Sequence, residues 1–360
     1  MVIIAVLICM TPVYAQKTIR IHENSDEKVT YSQIFISARL VKLETRPECL
    51  IGGKSMVRVD KDRIFLIGRT GIVYIFSSEG RYLSKIDRKG KGPGEMIQPN
   101  GFALDRANDQ IEIHDFSGRK MVIYDYDGKY IKTHKSAGVM GWEKLSESNY
   151  IGYSYNGPFN CDGKQIHSAL AVFDTVGKCV KEFQNIGSTL SGNFVVTGSN
   201  LYLANDGSAY VVPINQKDLY RVDQLLNIVK VCDFDFDTKT PNMICGLTVI
   251  NENASLIFFY NRLFYRTFWK LKSNETITVE NKKFINDLAL VESTGFAGSF
   301  VDGVIEQVDA VNFIEIYNNA VKTDKGLKVI QQTGMKDQLT AMVKATSADD
   351  NPILIFYTYK

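Results

Sequence analysis

Three stretches of the chain follow one plan: Ile75-Phe76-Ser77-Ser78-Glu79-Gly80, Ile123-Tyr124-Asp125-Tyr126-Asp127-Gly128 and Val172-Phe173-Asp174-Thr175-Val176-Gly177. Each has an apolar–aromatic pair, a short polar turn and a glycine, followed by Arg-Tyr-Leu, Lys-Tyr-Ile or Lys-Cys-Val. Their aromatics fall at 76, 124 and 173, and the same ruler continues to Leu219-Tyr220 and Phe268-Trp269, 47 and then 49 residues further on. A fixed period of this size belongs to architectures that stack one supersecondary unit repeatedly. The chain therefore reads as an array, and length alone no longer argues for two or three separate domains.

Each unit reads as four short strands. In the second they are expected at 101–105, 110–116, 120–126 and 130–134; in the fourth at 201–204, 209–214, 218–222 and 228–234. Alternating apolar and aromatic positions fit a packed sheet, and Asp127-Gly128 fits a tight turn in which glycine adopts positive φ. Four-stranded repeats of this length are the signature of propeller blades. The sixth unit breaks the pattern after 296–300 and 304–308, and its next strand comes only at 353–359. An extended segment at 34–43 has no unit of its own. The expectation is an all-β, six-bladed β-propeller closed by the N-terminal strand, with a small helical insertion at 309–351 in the last blade. In that insertion Val311, Ile314, Tyr317 and Val321, and again Leu339, Met342 and Val343, lie near helical spacing. A pair of β-sandwiches is the competing architecture, but it does not predict a constant ruler.

Residues 2–10 form an apolar run, and Val13 and Ala15 stand at the −3 and −1 positions of a signal-peptidase site. Residues 1–15 are read as a signal peptide and 16–360 as one domain, placed in the periplasm or outside the cell. The run is too short to span a bilayer, which needs about 20 residues. No Lys or Arg precedes it, which leaves open a start upstream of Met1, and Ile8 before Cys9 argues against a lipobox. The five remaining cysteines, Cys49, Cys161, Cys179, Cys232 and Cys245, are an odd set and not a disulfide framework. Cys161 with Cys179 is a conceivable pair; buried free thiols are the preferred reading. A 45% hydrophobic and 23% charged composition is that of a folded chain, and a net charge of +2 gives no case for nucleic acid.

The chain resembles the six-bladed β-propeller proteins exported by Bacteroidetes, which are related in style to NHL-repeat propellers. The residues that carry the resemblance are Leu43-Glu44-Thr45-Arg46-Pro47-Glu48-Cys49-Leu50-Ile51-Gly52, Lys89-Gly90-Lys91-Gly92-Pro93-Gly94-Glu95 and Asp350-Asn351-Pro352-Ile353-Leu354. The resemblance implies an envelope-associated propeller and brings no catalytic motif.

In a four-stranded blade the connections from strand two to three, and those leading to the next blade, emerge on one face. Three irregular segments fall in those classes: 88–98, 156–167 and 309–351. Rim loops on a rigid scaffold commonly carry binding, so Arg88, Lys89, Lys91, Glu95, Asp162 and His167 are the ligand-binding candidates. The glycines at 90, 92 and 94 invite a phosphate reading, but the GxxxxGK[ST] pattern and its strand-to-helix setting are missing. A tight inter-blade turn is preferred, with Glu95 pairing with Lys89 or Lys91 or capping backbone amides. His114, beside Asp115, is the one histidine in an acidic setting, and a hydrogen-bonded strand role is preferred for it. Asp233-Phe234-Asp235-Phe236-Asp237 lacks the glycine and distal glutamate of an EF-hand and reads as a strand with one charged face. No GxSxG or HExxH motif is present. No catalytic residue, metal ligand or cofactor is expected, although Ca²⁺ in a central channel is left open. The expected function is a monomeric binding module of the envelope, for a protein or glycan. The alternative is a metal-dependent hydrolase or lyase, lactonase-like or polysaccharide-active, with its site at the channel mouth.

Overall fold

A computed structural model describes residues 17–22, 28–139, 141–154, 158–184, 186, 200–213, 216–237, 243–291, 295–332 and 334–360. The expected signal peptide lies outside the described residues. The architecture is all-β and propeller-like. Four units stand as separate blades. The second comprises Pro99–Asp105, Gln110–Asp115, Lys120–Asp125 and Tyr130–Lys135, and the third Gly141–Lys144, Asn149–Tyr153, Leu170–Asp174 and Cys179–Glu182. The fourth comprises Leu201–Leu203, Ala209–Val211, Asp218–Val222 and Ile228–Phe236, and the fifth Met243–Ile250, Asn253–Tyr260, Leu263–Lys270 and Thr276–Glu280.

The first and sixth units do not separate as expected. Met56–Asp60, Arg63–Ile67, Val73–Ser77 and Tyr82–Ile86 join Gly298–Phe300, Gly303–Val308 and Ile353–Tyr359 in one eight-stranded sheet. The seam is a parallel pairing of Gly298 with Val57 and Ser299 with Arg58. Gly298 explains it: a Cβ there would lie 1.9 Å from the Val57 carbonyl oxygen, so only glycine lets these two innermost strands meet. The eighth strand is Phe35–Lys42, which pairs antiparallel with Ile353–Tyr359. The extended N-terminal segment thus supplies the outer strand of the last unit.

The packing explains the ruler. Strands such as Arg63–Ile67 and Val73–Ser77 are buried on both faces, so successive side chains feed two different cores. Phe65, Ile67, Val73 and Ile75 join Ile111, Ile113, Val122 and Tyr124 between units one and two, whereas Ile64, Leu66, Tyr74 and Phe76 join Leu354 and Phe356 of unit six. Met121, Ile123 and Phe173 lie between units two and three, Val172 and Leu201 between three and four, and Phe234 and Trp269 between four and five. Phe268, Val304 and Tyr357 lie between five and six. The ruler residues Phe76, Tyr124, Phe173, Tyr220 and Trp269 each pack toward the preceding unit. A fixed spacing is what such a repeated contact requires.

Two elements depart from the expectation. Thr18–Ile21 adds a fifth strand, parallel to Ile228–Phe236, and buries Ile19 and Ile21 completely. This edge is the Asp-Phe-Asp-Phe-Asp strand, with Phe234 and Phe236 inward and Arg20 3.5 Å from Asp235. The insertion is helical over Ala310–Ala320, Asp324–Gln332 and Lys336–Lys344, but its first helix is phased differently from the reading. Ala310 and Phe313 face the core, with Tyr317 packed against it, and Val311 is exposed. With Met335 and Leu339, Phe313 belongs to the core between units five and six.

Candidate functional site

The connection from unit one to unit two is a locked loop. Lys89 and Met96 form a bridge, with the Gly90 amide donating to the Met96 carbonyl at 3.0 Å and the Met96 amide to the Arg88 carbonyl at 2.8 Å. Glu95 caps the Gly92 amide at 2.9 Å, one of the two roles read for it. The Tyr124 hydroxyl, its pKa pushed up to about 12 by burial, donates to the Gly94 carbonyl. Asp115, fully buried, accepts the amides of Ile97 and Gln98 at 2.9 and 2.8 Å and that of Gly118 at 3.2 Å. Arg88, Lys89 and Lys91 are exposed on this framework. The loop therefore carries three exposed cations on a fixed backbone.

The other two candidates are not brought together. Phe159–Cys161 and Lys164–Ile166 form a hairpin with Asp162 in its turn, whereas His167 follows its second strand. Both side chains are exposed, and His167 is fixed through its amide, which donates to Glu182 Oε1 at 2.9 Å. The hairpin is not free-standing: the Gly138 amide donates to the Asn160 carbonyl at 3.0 Å.

His114 is completely buried, with Nδ1 2.7 Å from Asn100 Oδ1 and Nε2 3.1 Å from the Ala137 carbonyl. Burial lowers its pKa to about 4, so it is neutral at physiological pH, as a strand residue and not a base in a cleft.

The structure also contains polar centres that sequence did not reveal. Arg58, on the inner strand of unit one, donates to the Phe102 carbonyl of unit two at 2.8 Å and to both Glu143 oxygens of unit three at 2.8 and 2.9 Å. Behind it, Lys144 Nζ lies 2.5 Å from Glu112 and 3.2 Å from Asp105, and the Tyr150 hydroxyl donates to Glu112 at 2.7 Å. Burial raises the Asp105 pKa, but Asn108 and Lys144 outweigh it and hold the carboxyl ionised. Tyr202 on the inner strand of unit four donates to Ser299 Oγ at 2.7 Å. The only trace of this in the sequence is a charge interrupting an apolar strand, as Glu112 does; its partner 32 residues away is not local information. Among the described residues no group of three His, Cys, Asp or Glu side chains is placed to hold a metal ion, and no helix is long and apolar enough to cross a membrane. A cavity of about 250 Å³ opens between the N-terminal segment and unit five, against Gln33, Ile34, Phe268, Trp269, Glu275 and Tyr359; the rim candidates do not line it.

Residues 16–358 match a sequence family described as a domain of unknown function, DUF4934. The chain belongs to that family. No curated protein matches it. Among solved structures it is similar to a candidate exported protein from Bacteroides fragilis, at 19% identity and a TM-score of 0.76 over 96% of this chain and all of that one. A member of the DUF4221 family from Bacteroides vulgatus is similar at 8% identity and a TM-score of 0.54, over 90% of this chain and 96% of that one. At these identities the likeness is one of fold.

Proposed function

We propose that this DUF4934 chain is an exported six-bladed propeller that acts as a binding module of the cell envelope, taking an anionic glycan or protein on the rim that carries Arg88, Lys89 and Lys91. The observation that carries the reading is the locked loop. A backbone fixed by Glu95, Tyr124 and Asp115 carries three exposed cations, so the loop main chain need not be ordered on binding. Six blades are supported by six cores, one between each consecutive pair of units, with that between six and one completing the set. Export is supported by the family match beginning at Gln16, the first residue after the expected cleavage point, and by the name of the Bacteroides fragilis neighbour. The alternative of a metal-dependent hydrolase or lyase has no cluster of ligands in its favour among the described residues.

The insertion cannot be deleted as a test, because Phe313 and Leu339 belong to the core. The clean experiment is an array of anionic and neutral glycans and envelope extracts probed with the mature protein and with the triple variant Arg88→Glu, Lys89→Glu, Lys91→Glu. The expectation is salt-sensitive binding to anionic members that the variant loses at unchanged Tm. Binding unaffected by the charge reversal would remove this rim from the account.

A further inference from the structure

We propose that Cys161 and Cys179 are a disulfide pair, a covalent clasp that ties the unit-three hairpin to the outer strand of its own blade. The hairpin lies along Cys179–Glu182 and is fastened to that side of the blade at two points. Near its base the amides of His167 and Ser168 donate to Glu182 Oε1 at 2.9 and 3.2 Å, and Lys164 Nζ lies 3.4 Å from Oε2 of the same carboxylate. At its other end Cys161, 1% exposed, donates its thiol to the carbonyl of Gly177 at 3.1 Å, two residues before Cys179. Cys179 stands opposite Phe173 in the ladder and packs against the cluster that contains Cys161, Phe159, Ile166 and Phe173. In the structure both are free thiols, Cys161 buried and Cys179 half-buried, close enough that each acts electrostatically on the other. Cys49, Cys232 and Cys245 are placed elsewhere, in units one, four and five.

The chemistry is thiol–disulfide exchange with a small-molecule or protein disulfide. The Cys179 thiolate, on the half-buried side, attacks one sulfur of the donor and releases its first thiol. The Cys161 thiolate then attacks the Cys179 sulfur of the mixed disulfide and releases the second. Two electrons and two protons pass to the donor, which leaves as two thiols, and one S–S bond forms. Burial pushes the Cys161 thiol up to about 12 and raises that of Cys179, so little thiolate is present once the hairpin has docked. The bond is therefore expected to form during folding and to be slow to form in the folded, reduced protein. This inference stands on the geometry of unit three and holds whether or not the rim binds a glycan.

The test uses the mature chain, folded once with glutathione disulfide present and once fully reduced, then denatured, alkylated without reductant and mapped by mass spectrometry. The expected result is two fewer alkylated thiols in the oxidised sample, a linked peptide joining Cys161 to Cys179, and a Tm higher by about 5 °C. Slower hydrogen exchange across Phe159–Ile166 should accompany it. Full alkylation of all five thiols after oxidative folding, or linkage to any other cysteine, would overturn the proposal. The variant Cys179→Ser should remove the link and leave Cys161 alkylated; if it fails to fold, the wild-type map alone decides.

Discussion

At the scale of single residues, Asn351 shows why short motifs at opposite ends of the chain belong together. It is 2% exposed, and its Nδ2 donates to the carbonyls of Glu44 and Cys49 at 2.7 and 2.8 Å. Its Oδ1 accepts the Ile51 amide at 2.8 Å, and its own amide donates to Thr45 Oγ1 at 2.9 Å. The two segments quoted for the family resemblance, around 43–52 and 350–354, are thus halves of one structural clasp. Asn351→Ala leaves two carbonyls and one amide without their partner and should cost about 3 kcal/mol in urea unfolding. His114 gives a prediction in pH. Its folded pKa of about 4 lies below the unfolded value of 6.5, so the unfolded chain binds the proton first as pH falls. The stability it contributes is complete above about pH 6.5 and is lost between there and pH 4, to about 3 kcal/mol in total. His114→Gln should flatten that part of a stability-against-pH curve. The repeated turn was the most legible feature in the sequence. Gly80, Gly128 and Gly177 take φ of +86°, +86° and +79°, while Ser77, Asp125 and Asp174 cap the turn amides. In unit four the same position, 49 residues after Gly177, is Leu226 at φ +64°, with Asp223 capping. No local rule predicts a leucine there, although Asp223 closes the same turn around it.

At the scale of elements, strands were readable because each carries its own period. Asp218–Val222 has the bounds expected of it, and the second unit differs from expectation by at most two residues at any end. Thr18–Ile21 has a clear Thr-Ile-Arg-Ile alternation, but nothing local says that its edge is that of unit four. Replacing buried Ile21 with Asp should strip this strand from the edge, lower Tm and shift the protein toward larger species in gel filtration, since Ile228–Phe236 would be left open. The insertion was legible as helical, and in phase at Leu339, Met342 and Val343, but not in the phase of its first helix, which the core between units five and six decides. Phe313→Ala and Leu339→Ala should each cost about 3 kcal/mol, within the same unfolding transition as the blades. An earlier separate transition would mean that the helices are an independent appendage. The rim loop was legible in its glycines and in the capping by Glu95. The separation of Asp162 from His167 was not, because a two-stranded hairpin shorter than four residues a side announces itself weakly.

At the scale of the whole molecule, the ruler follows from each unit placing an aromatic on its predecessor, so that neighbouring blades share a core. Such a chain keeps a free hydrophobic face at each end until its last unit meets its first. In the proposed ring that meeting rests on three contacts: the core shared by units six and one, the Gly298–Val57 seam, and the Phe35–Lys42 strand on Ile353–Tyr359. Hydrogen exchange of the mature protein, followed strand by strand, tests this most directly. If the N-terminal segment closes the ring, the amides of Phe35–Lys42 that are bonded to Ile353–Tyr359 should exchange only with global unfolding, as slowly as those of Arg63–Ile67. Rapid exchange of those paired amides while Arg63–Ile67 stays protected would contradict closure by that strand.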